Sequence, residues 1–125
     1  MFQNLDVFKT AMAMARHAGT QQAVSAQNIA NADTPRYRAQ DLPDFSETLR
    51  STMLTQRATR ARHLNGAASN APPAPIERRD TVDPNGNTVS IEAEMVTAVD
   101  AMRAHDRALS IYRSNLTLLR ASLGR

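Results

Sequence analysis

The sequence has no cysteine and no tryptophan, and aromatic residues make up only 4% of its 125 residues. The absence of cysteine excludes disulfides, thiol catalysis and thiolate metal ligands. The four glycines lie far apart, so the chain contains no glycine-rich phosphate-binding loop. These absences exclude enzymes that depend on a cysteine nucleophile, on thiolate metal ligands or on a glycine-rich phosphate-binding loop.

Large apolar residues are also scarce. Hydrophobic residues make up 42% of the chain, but 21 of them are alanine, and Leu, Ile, Val and Phe together number 23. So little bulky apolar area does not favour a compact monomer with a deep substrate pocket. Alanine-rich helices that complete their burial against other chains fit this composition better.

The charge balance is modest, with 15 basic and 12 acidic residues and a formal net charge of +3. Such a charge does not by itself predict binding to nucleic acid. Arg57, Arg60 and Arg62 form a short basic segment without the aromatic residues that stack on bases. We therefore expect a solvated loop there and no nucleic-acid partner.

The N-terminal segment carries charges that interrupt its apolar residues. Asp6, Lys9 and Arg16 break the apolar stretch that a cleavable signal peptide requires, and no stretch approaches the length of a transmembrane helix. The sequence therefore predicts neither a cleaved signal peptide nor direct insertion into a membrane.

Residues 4–34 are predicted to form a first long helix, with Asn4 as its N-cap. Its apolar residues recur at helical spacing, and their stripe is bulky at the N-terminal end and small toward the middle. The bulky end of the stripe consists of Leu5, Phe8, Met12 and Ala15. Pro35 ends the helix, because proline disfavours the α conformation of the residue before it.

Residues 90–123 are predicted to form a second long helix. One face of it carries Met95, Met102, Leu109, Leu116 and Leu123 at intervals of seven, widened by Val99, Tyr112 and Leu119. Four heptads of this kind predict a seam between helices. Ser90 is the expected N-cap and Gly124 the expected C-cap, and Glu92 and Glu94 are expected to compensate the helix dipole.

The segment between them, residues 35–89, is irregular. The spacing of apolar residues predicts a short helix beginning near Phe45, and residues 83–87 are a turn sequence that leaves room for a small β-hairpin. The predicted fold class is all-α. Two long terminal helices pair as an antiparallel coiled coil within a single unit of residues 1–125, and the central segment includes a short helix or a β-hairpin.

No catalytic or metal-binding constellation is visible. His17, His63 and His105 lack the spacing of metal ligands. His105, Asp106 and Ser110 include the residue types of a hydrolase triad, but one helix cannot bring them into the required geometry. We therefore predict no enzyme activity, no metal site, no cofactor and no small-molecule substrate.

The most specific motif lies at residues 27–38, around the end of the first predicted helix. It resembles the signature of the flagellar rod and hook axial proteins, in which Asn-Ile/Leu-Ala-Asn precedes Thr-Pro-Gly and an aromatic residue. The matching residues are Asn28, Ile29, Ala30, Asn31, Thr34, Pro35 and Tyr37. Arg36 stands where the family usually has glycine; if the position requires a positive φ, Arg36 is strained or the turn is built differently.

This resemblance implies a structural protein of the bacterial flagellar basal body, and within it a subunit of the proximal rod. Such subunits polymerise helically and link the region of the export gate and MS ring to the distal rod and hook. The implied partners are further copies of the chain, other rod proteins such as FlgC, the adaptor FliE and the flagellar export gate. The implied location is the periplasmic rod, reached by type III export without a cleaved signal peptide.

Two expectations connect the resemblance with particular residues. The bulky N-terminal stripe is expected to pack against Leu109, Tyr112, Leu116 and Leu119, and the two apolar helix faces are expected to serve assembly. The turn from Asn28 to Tyr37 is expected to set the angle at which the chain leaves the tube wall. Asn28 and Asn31 are expected to satisfy backbone groups freed where the helix ends.

Two alternatives stay open at this point. One is another axial rod protein such as FlgC, and the other is a soluble, basic helical adaptor or nucleic-acid-binding protein. The second alternative predicts a stable monomer or dimer with salt-dependent DNA affinity, whereas a rod subunit is expected to be weakly structured when alone.

Overall fold

The computed structural model of the chain describes residues 2–54, 73–78 and 82–124. These residues form three helices and two short strands, namely α1 (Phe2–Ala30), β1 (Gln40–Asp41), α2 (Phe45–Leu54), β2 (Ile76–Glu77) and α3 (Ile91–Ser122). The predicted fold, mainly helical with two long terminal helices, is confirmed.

The two long helices, α1 and α3, pack against each other in opposite directions. Near one end, the ring centroids of Phe8 and Tyr112 are 5.0 Å apart in an edge-to-face contact. Near the other end, the Ser25 hydroxyl donates a hydrogen bond of 2.9 Å to the backbone carbonyl of Glu94. The start of α1 therefore lies against the end of α3, which confirms the predicted antiparallel pairing.

The contact between α1 and α3 is built from small side chains. Its buried apolar residues are Ala11, Ala18, Val24, Ala101 and Ala108. Because alanine lets two helices approach closely, the seam runs through alanines rather than through the predicted heptad series. Met95 and Met102 are exposed, and the buried line of α3 lies one residue before each of them.

The ends of the long helices differ from the prediction in detail. α1 begins at Phe2, so Asn4 lies inside the helix rather than at its N-cap. It ends at Ala30 rather than at the predicted residue 34, because the chain forms turns from residue 31 onward. At the start of α3, the Ser90 hydroxyl caps the helix as predicted. At its end the C-cap is Leu123, and Gly124 follows in the left-handed conformation, with a φ of 73°. Glycine commonly ends a helix in this way, directly after the cap residue.

The central segment supplies α2 and both strands. The short helix predicted from Phe45 is confirmed. The two strands pair antiparallel, with Gln40 opposite Glu77. Residues 83–87 contain the predicted turn, but the described residues on either side of it are not strands, so the strand pairing lies elsewhere in the segment.

Some of the predicted features lie outside the described residues. These are the basic segment of Arg57, Arg60 and Arg62, together with His63 and the side chain of Leu5. Within the described part of the chain, neither long helix is apolar enough to cross a membrane.

Candidate functional site: the elbow after the first helix

The chain changes direction directly after α1, in residues 31–37, which we call the elbow. Its turns are held by short-range backbone hydrogen bonds. The Thr34 amide donates to the Asn31 carbonyl at 3.0 Å, and the Tyr37 amide donates to the Thr34 carbonyl at 3.3 Å. The signature motif therefore covers the last turn of α1 and the whole elbow.

Asn28, in the last turn of α1, is fully buried and holds the chain that follows the elbow. Its Nδ2 donates to the Gln40 carbonyl at 2.7 Å, and its Oδ1 accepts from the Gln40 amide at 3.0 Å. The Tyr37 hydroxyl donates a longer bond of 3.3 Å to the same oxygen. One side chain thus satisfies both backbone groups of Gln40, as a neighbouring strand would, and fixes β1 against α1.

Asn31 acts within the helix end itself. Its Nδ2 donates to the Gln27 carbonyl at 2.8 Å, and its Oδ1 accepts from the Thr34 hydroxyl at 3.3 Å. The Gln27 carbonyl also accepts a bond of 3.2 Å from the Asn31 amide, so it is not a group that the helix end leaves free. The expectation that the two asparagines satisfy such freed backbone groups is therefore wrong for Asn31, and also for Asn28, whose amide is directed to Gln40.

Three carbonyls of the elbow accept hydrogen bonds from Asn87, a residue that the sequence did not single out. Its Nδ2 donates to the carbonyls of Asn31 (3.0 Å), Ala32 (2.7 Å) and Thr34 (2.9 Å). Its Oδ1 accepts from the Val89 amide at 2.7 Å, and the side chain is fully buried. An amide has two donor hydrogens, so at least one is shared between carbonyls.

Arg36 adopts the left-handed conformation, with a φ of 63°. Its amide donates to the Asn85 carbonyl at 3.1 Å, and Gly86 packs against it so closely that an added Cβ on Gly86 would lie 3.3 Å from Arg36 Cγ. The position thus has the positive φ that glycine adopts without strain, and Arg36 is strained there by about 1 kcal/mol.

Two further hydrogen bonds join the elbow to the segment before α3. The Thr88 amide donates to the Tyr37 carbonyl at 3.2 Å, and the Ala39 amide donates to the Thr88 hydroxyl at 2.8 Å. Ala39 is completely buried between these segments. The elbow is therefore held from both sides, by the end of α1 and by the residues that lead into α3.

A group of charged side chains joins the strands to the helices beside the elbow. Arg78, which follows β2, forms an ion pair of 2.8 Å with Glu94 of α3 and one of 3.3 Å with Asp41 of β1. The other oxygen of Asp41 accepts from Gln21 Nε2 at 2.8 Å. One arginine therefore connects the central segment to both long helices, directly to α3 and through Asp41 to α1.

Glu94 is fully buried, which the sequence did not indicate. Its Oε1 is paired with Arg78, while its Oε2 has no hydrogen-bond partner within the described part of the chain. Burial of a carboxylate costs free energy unless a cation compensates it, so Arg78 is needed for this arrangement. Both glutamates lie in the first turn of α3, as the predicted dipole compensation requires, and Glu94 has the additional ion pair with Arg78.

The predicted assembly residues fall into two groups. The half-buried ones, which lie beside the contact of α1 with α3, are Phe8, Ala15, Leu109, Tyr112, Leu116 and Leu119. The exposed ones are Met12, Met95, Val99, Met102 and Leu123. The expected packing of the N-terminal stripe on the end of α3 is confirmed for Phe8 and Tyr112, whereas the exposed group remains accessible to other molecules.

The histidines that the structure describes have structural surroundings. His17 Nε2 lies 2.8 Å from the Pro43 carbonyl, and its ring packs edge-to-face on Phe45 at 5.6 Å. His105 lies on α3, with Nδ1 4.0 Å from a carboxylate oxygen of Asp106. Among the described residues, no group of three or more His, Asp or Glu side chains could hold a metal ion.

Residues 10–38 match the family model of the flagella basal body rod protein. The matched segment contains most of α1, the complete elbow and every residue of the signature. The matched segment therefore includes Asn28 and Asn31, whose side chains hold the end of α1 and the chain that follows it.

Three relatives are similar to the chain over most of its length, and each is named flagellar basal body rod protein FlgB. The protein of Escherichia coli is 34% identical over 100 residues, covering 71% of this chain and 72% of the relative. That of Salmonella typhimurium is 31% identical over 106 residues, covering 76% of each chain. That of Agrobacterium fabrum is 27% identical over 118 residues, covering 90% of this chain and 88% of the relative.

The chain therefore belongs to the family of flagellar basal body rod proteins, the structural subunits of the rod. Within that family, these relatives are FlgB proteins. The comparisons thus favour a rod subunit of the FlgB type over a FlgC-type axial protein and over a helical adaptor or nucleic-acid-binding protein.

Proposed function

We propose that this structural subunit of the flagellar basal body rod polymerises helically to form the proximal rod. In that position it links the region of the export gate and MS ring to the distal rod and hook. Its proposed partners are further copies of itself, other rod proteins such as FlgC, the adaptor FliE and the export gate. The proposed location is the periplasmic part of the rod, reached through the export gate, and the role involves no catalysis.

The observation that carries this proposal is the exposed apolar face of α3. Met95 is 60% exposed, Val96 62% and Leu118 63%. The first two, with Val99, border a shallow surface groove of about 340 Å³. Apolar surface of this kind is typical of sites that contact other proteins, and neighbouring subunits of a polymer would bury it.

The proposed assembly faces are the stripes recognised in the sequence. On α1 they comprise Leu5, Phe8, Met12 and Ala15, and on α3 they comprise Met95, Val99, Met102, Leu109, Tyr112, Leu116, Leu119 and Leu123. The half-buried members support assembly by keeping α1 and α3 together, and the exposed members contact neighbouring subunits.

The elbow has a different part in the proposal. It sets the direction in which the central segment leaves the helix pair, and therefore the direction in which that segment leaves the tube wall. Support comes from its hydrogen bonding, since Asn28 and Asn87 hold it from opposite sides. A flexible turn could not fix such a direction.

The test is a strain of the source bacterium that lacks this chain. We expect cells that do not swim and basal bodies that lack the rod and the external hook. The control is the same strain supplied with the unaltered chain, which is expected to regain both. Rods of normal length in a strain without this chain and without a second copy would contradict the proposal.

A further inference from the structure

One exposed side of α1 carries three charges around an apolar side chain. Asp6, Lys9 and Arg16 are exposed, and Met12, between them, is 45% exposed. These positions are three, four and seven residues apart, so they lie on the same side of the helix.

One exposed side of α3 carries the complementary arrangement. Glu92, Asp100 and Arg103 are exposed. Val96 and Val99, 62% and 42% exposed, lie among them on the same side. Along α1 the order of charges is acidic, basic, basic. Along α3, taken in the opposite direction, the order is basic, acidic, acidic.

We propose that this side of α1 in one copy docks antiparallel on this side of α3 in a neighbouring copy, with Lys9 opposite Asp100. In that register, Asp6 lies opposite Arg103. Asp6 is three residues before Lys9, Arg103 is three residues after Asp100, and the two helices run in opposite directions. The inference rests on the proposed function, since it requires that copies of the chain touch one another.

The rest of the two faces also agrees with this register. Arg16 lies opposite the residue that follows Glu92, so the two charges are offset along the helix axis by about 1.5 Å. Met12 lies against the gap between Val96 and Val99. Burial of these three side chains supplies affinity, and the surrounding charges fix the register.

The charges are only weakly engaged within a single chain. Lys9 lies 3.8 Å from Asp6, and Arg103 lies 3.7 Å from Asp100, with all four side chains more than 60% exposed. Exposed ion pairs of this kind contribute little to stability. They are therefore free to exchange partners or form a four-charge group when a neighbour docks.

The register has a consequence for how copies are arranged. Within one chain, Phe8 lies against Tyr112, so residue 9 lies near residue 111 of its own α3. In the proposed contact, residue 9 instead faces Asp100 of a neighbouring copy, which is eleven positions before residue 111. Because both contacts are antiparallel, neighbouring copies have the same orientation, and they are displaced by about 16 Å along the helix axis. Such a head-to-tail contact joins two different faces and can repeat without closing.

Cysteine cross-linking tests this register directly, because the chain has no cysteine of its own. Strains carry Lys9→Cys together with Asp100→Cys, and isolated basal bodies are treated with a mild oxidant. We expect a ladder of disulfide-linked subunits on a non-reducing gel. The control combines Lys9→Cys with Ser110→Cys, an exposed position about 15 Å further along a similar side of α3, and is expected to give no ladder.

Charge reversal provides an independent test. Lys9→Glu alone and Asp100→Lys alone are each expected to lower the number of complete hook–basal bodies by about tenfold or more. The combination of the two changes is expected to restore the number of complete hook–basal bodies. Such a rescue would also exclude misfolding as the cause of the defect in the single variants. The mismatched control, Lys9→Glu with Asp106→Lys, has the same net charge and is expected to stay defective.

The outcomes separate this inference from the function on which it rests. A ladder from the control pair would overturn the register and leave the proposed function standing. The absence of a ladder from both pairs, in rods that contain the chain, would do the same. Absence of the unaltered chain from purified rods would overturn both.

Discussion

Asn28 and Asn87 provide at the elbow the hydrogen bonds that a helix or a strand would otherwise supply. Asn28 replaces a strand partner for Gln40, and Asn87 donates to three carbonyls of the elbow. Both side chains are completely buried, so water cannot take over these bonds if they are lost. The shape of the elbow therefore depends on two amides that are far apart in the sequence.

Replacement of Asn87 by aspartate tests this dependence. An aspartate would direct negative oxygens at three carbonyls without a donor, so we expect Asn87→Asp to lower the free energy of unfolding by about 2–4 kcal/mol. Urea unfolding followed by circular dichroism measures the change. The matched control is Asn85→Asp, because the side-chain oxygen of Asn85 only accepts a bond from the Asn87 amide. Equal losses in both variants would contradict the assigned role of Asn87.

At Arg36, a substitution is expected to increase the stability of the chain. Glycine adopts a φ of 63° without steric cost, so we expect Arg36→Gly to raise the free energy of unfolding by about 0.5–1 kcal/mol. The control is Arg38→Gly, at an exposed neighbouring position without a positive φ, where glycine is expected to destabilise the chain. Thermal unfolding of the two variants distinguishes these effects. A loss of stability in both would show that Arg36 is not strained.

An ion-paired arginine joins the strands of this chain to its helices, in addition to the hydrogen bonds of Asn28 and Gln21. β1 and β2 have only two residues each, too few to form a stable sheet alone. Arg78 fastens them to α3 through Glu94 and pairs with Asp41 of β1. The position of the central segment on the helix pair therefore depends on a buried charge and its partner.

A double-mutant cycle measures this connection. We expect Arg78→Met and Glu94→Gln to be coupled by about 2–3 kcal/mol, because removal of Arg78 leaves the buried Glu94 carboxylate without its cation, whereas a neutral glutamine at position 94 does not need one. The comparison is a cycle on Arg103 and Asp100, an exposed pair in which coupling of at most about 0.5 kcal/mol is expected. Similar coupling energies in the two cycles would contradict the anchoring role of Arg78.

The helix pair also shows which residues of the heptad pattern pack within a single chain and which face outward. The series of large residues on α3 predicted the seam, but Ala101 and Ala108 form it, and Met95 and Met102 point outward. Periodicity alone cannot distinguish a face that packs within the chain from one that packs on another molecule, since both are apolar at the same spacing. The small size of alanine was the signal for the closer contact.

For the molecule as a whole, the exposed apolar face of α3 is expected to contribute to assembly and not to the folding of the single chain. A change there is expected to affect contacts between subunits without disturbing the helix pair. This expectation distinguishes a polymer subunit from a self-sufficient monomer, in which such a change would have little consequence.

Met95→Asp tests this separation. Because Met95 is 60% exposed, we expect the free energy of unfolding of the isolated chain to change by no more than about 0.5 kcal/mol. Swimming and the yield of complete basal bodies are expected to be lost, since a charge would be buried without a partner between subunits. The control is Ser114→Asp, on an exposed polar part of α3, which is expected to swim normally. Normal swimming of Met95→Asp would remove this face from the assembly surface.

The sequence alone sufficed for the existence of the helices, the turn near Gly86 and the family signature, although α1 ends four residues earlier than the predicted break before Pro35. These features arise from interactions between residues a few positions apart, which periodicity and turn residues reveal directly. The roles of Asn87 and Arg78, the burial of Glu94 and the outward direction of Met95 came only from the folded chain. Each depends on which distant segments meet, and because that is settled by packing in three dimensions, no local pattern records it.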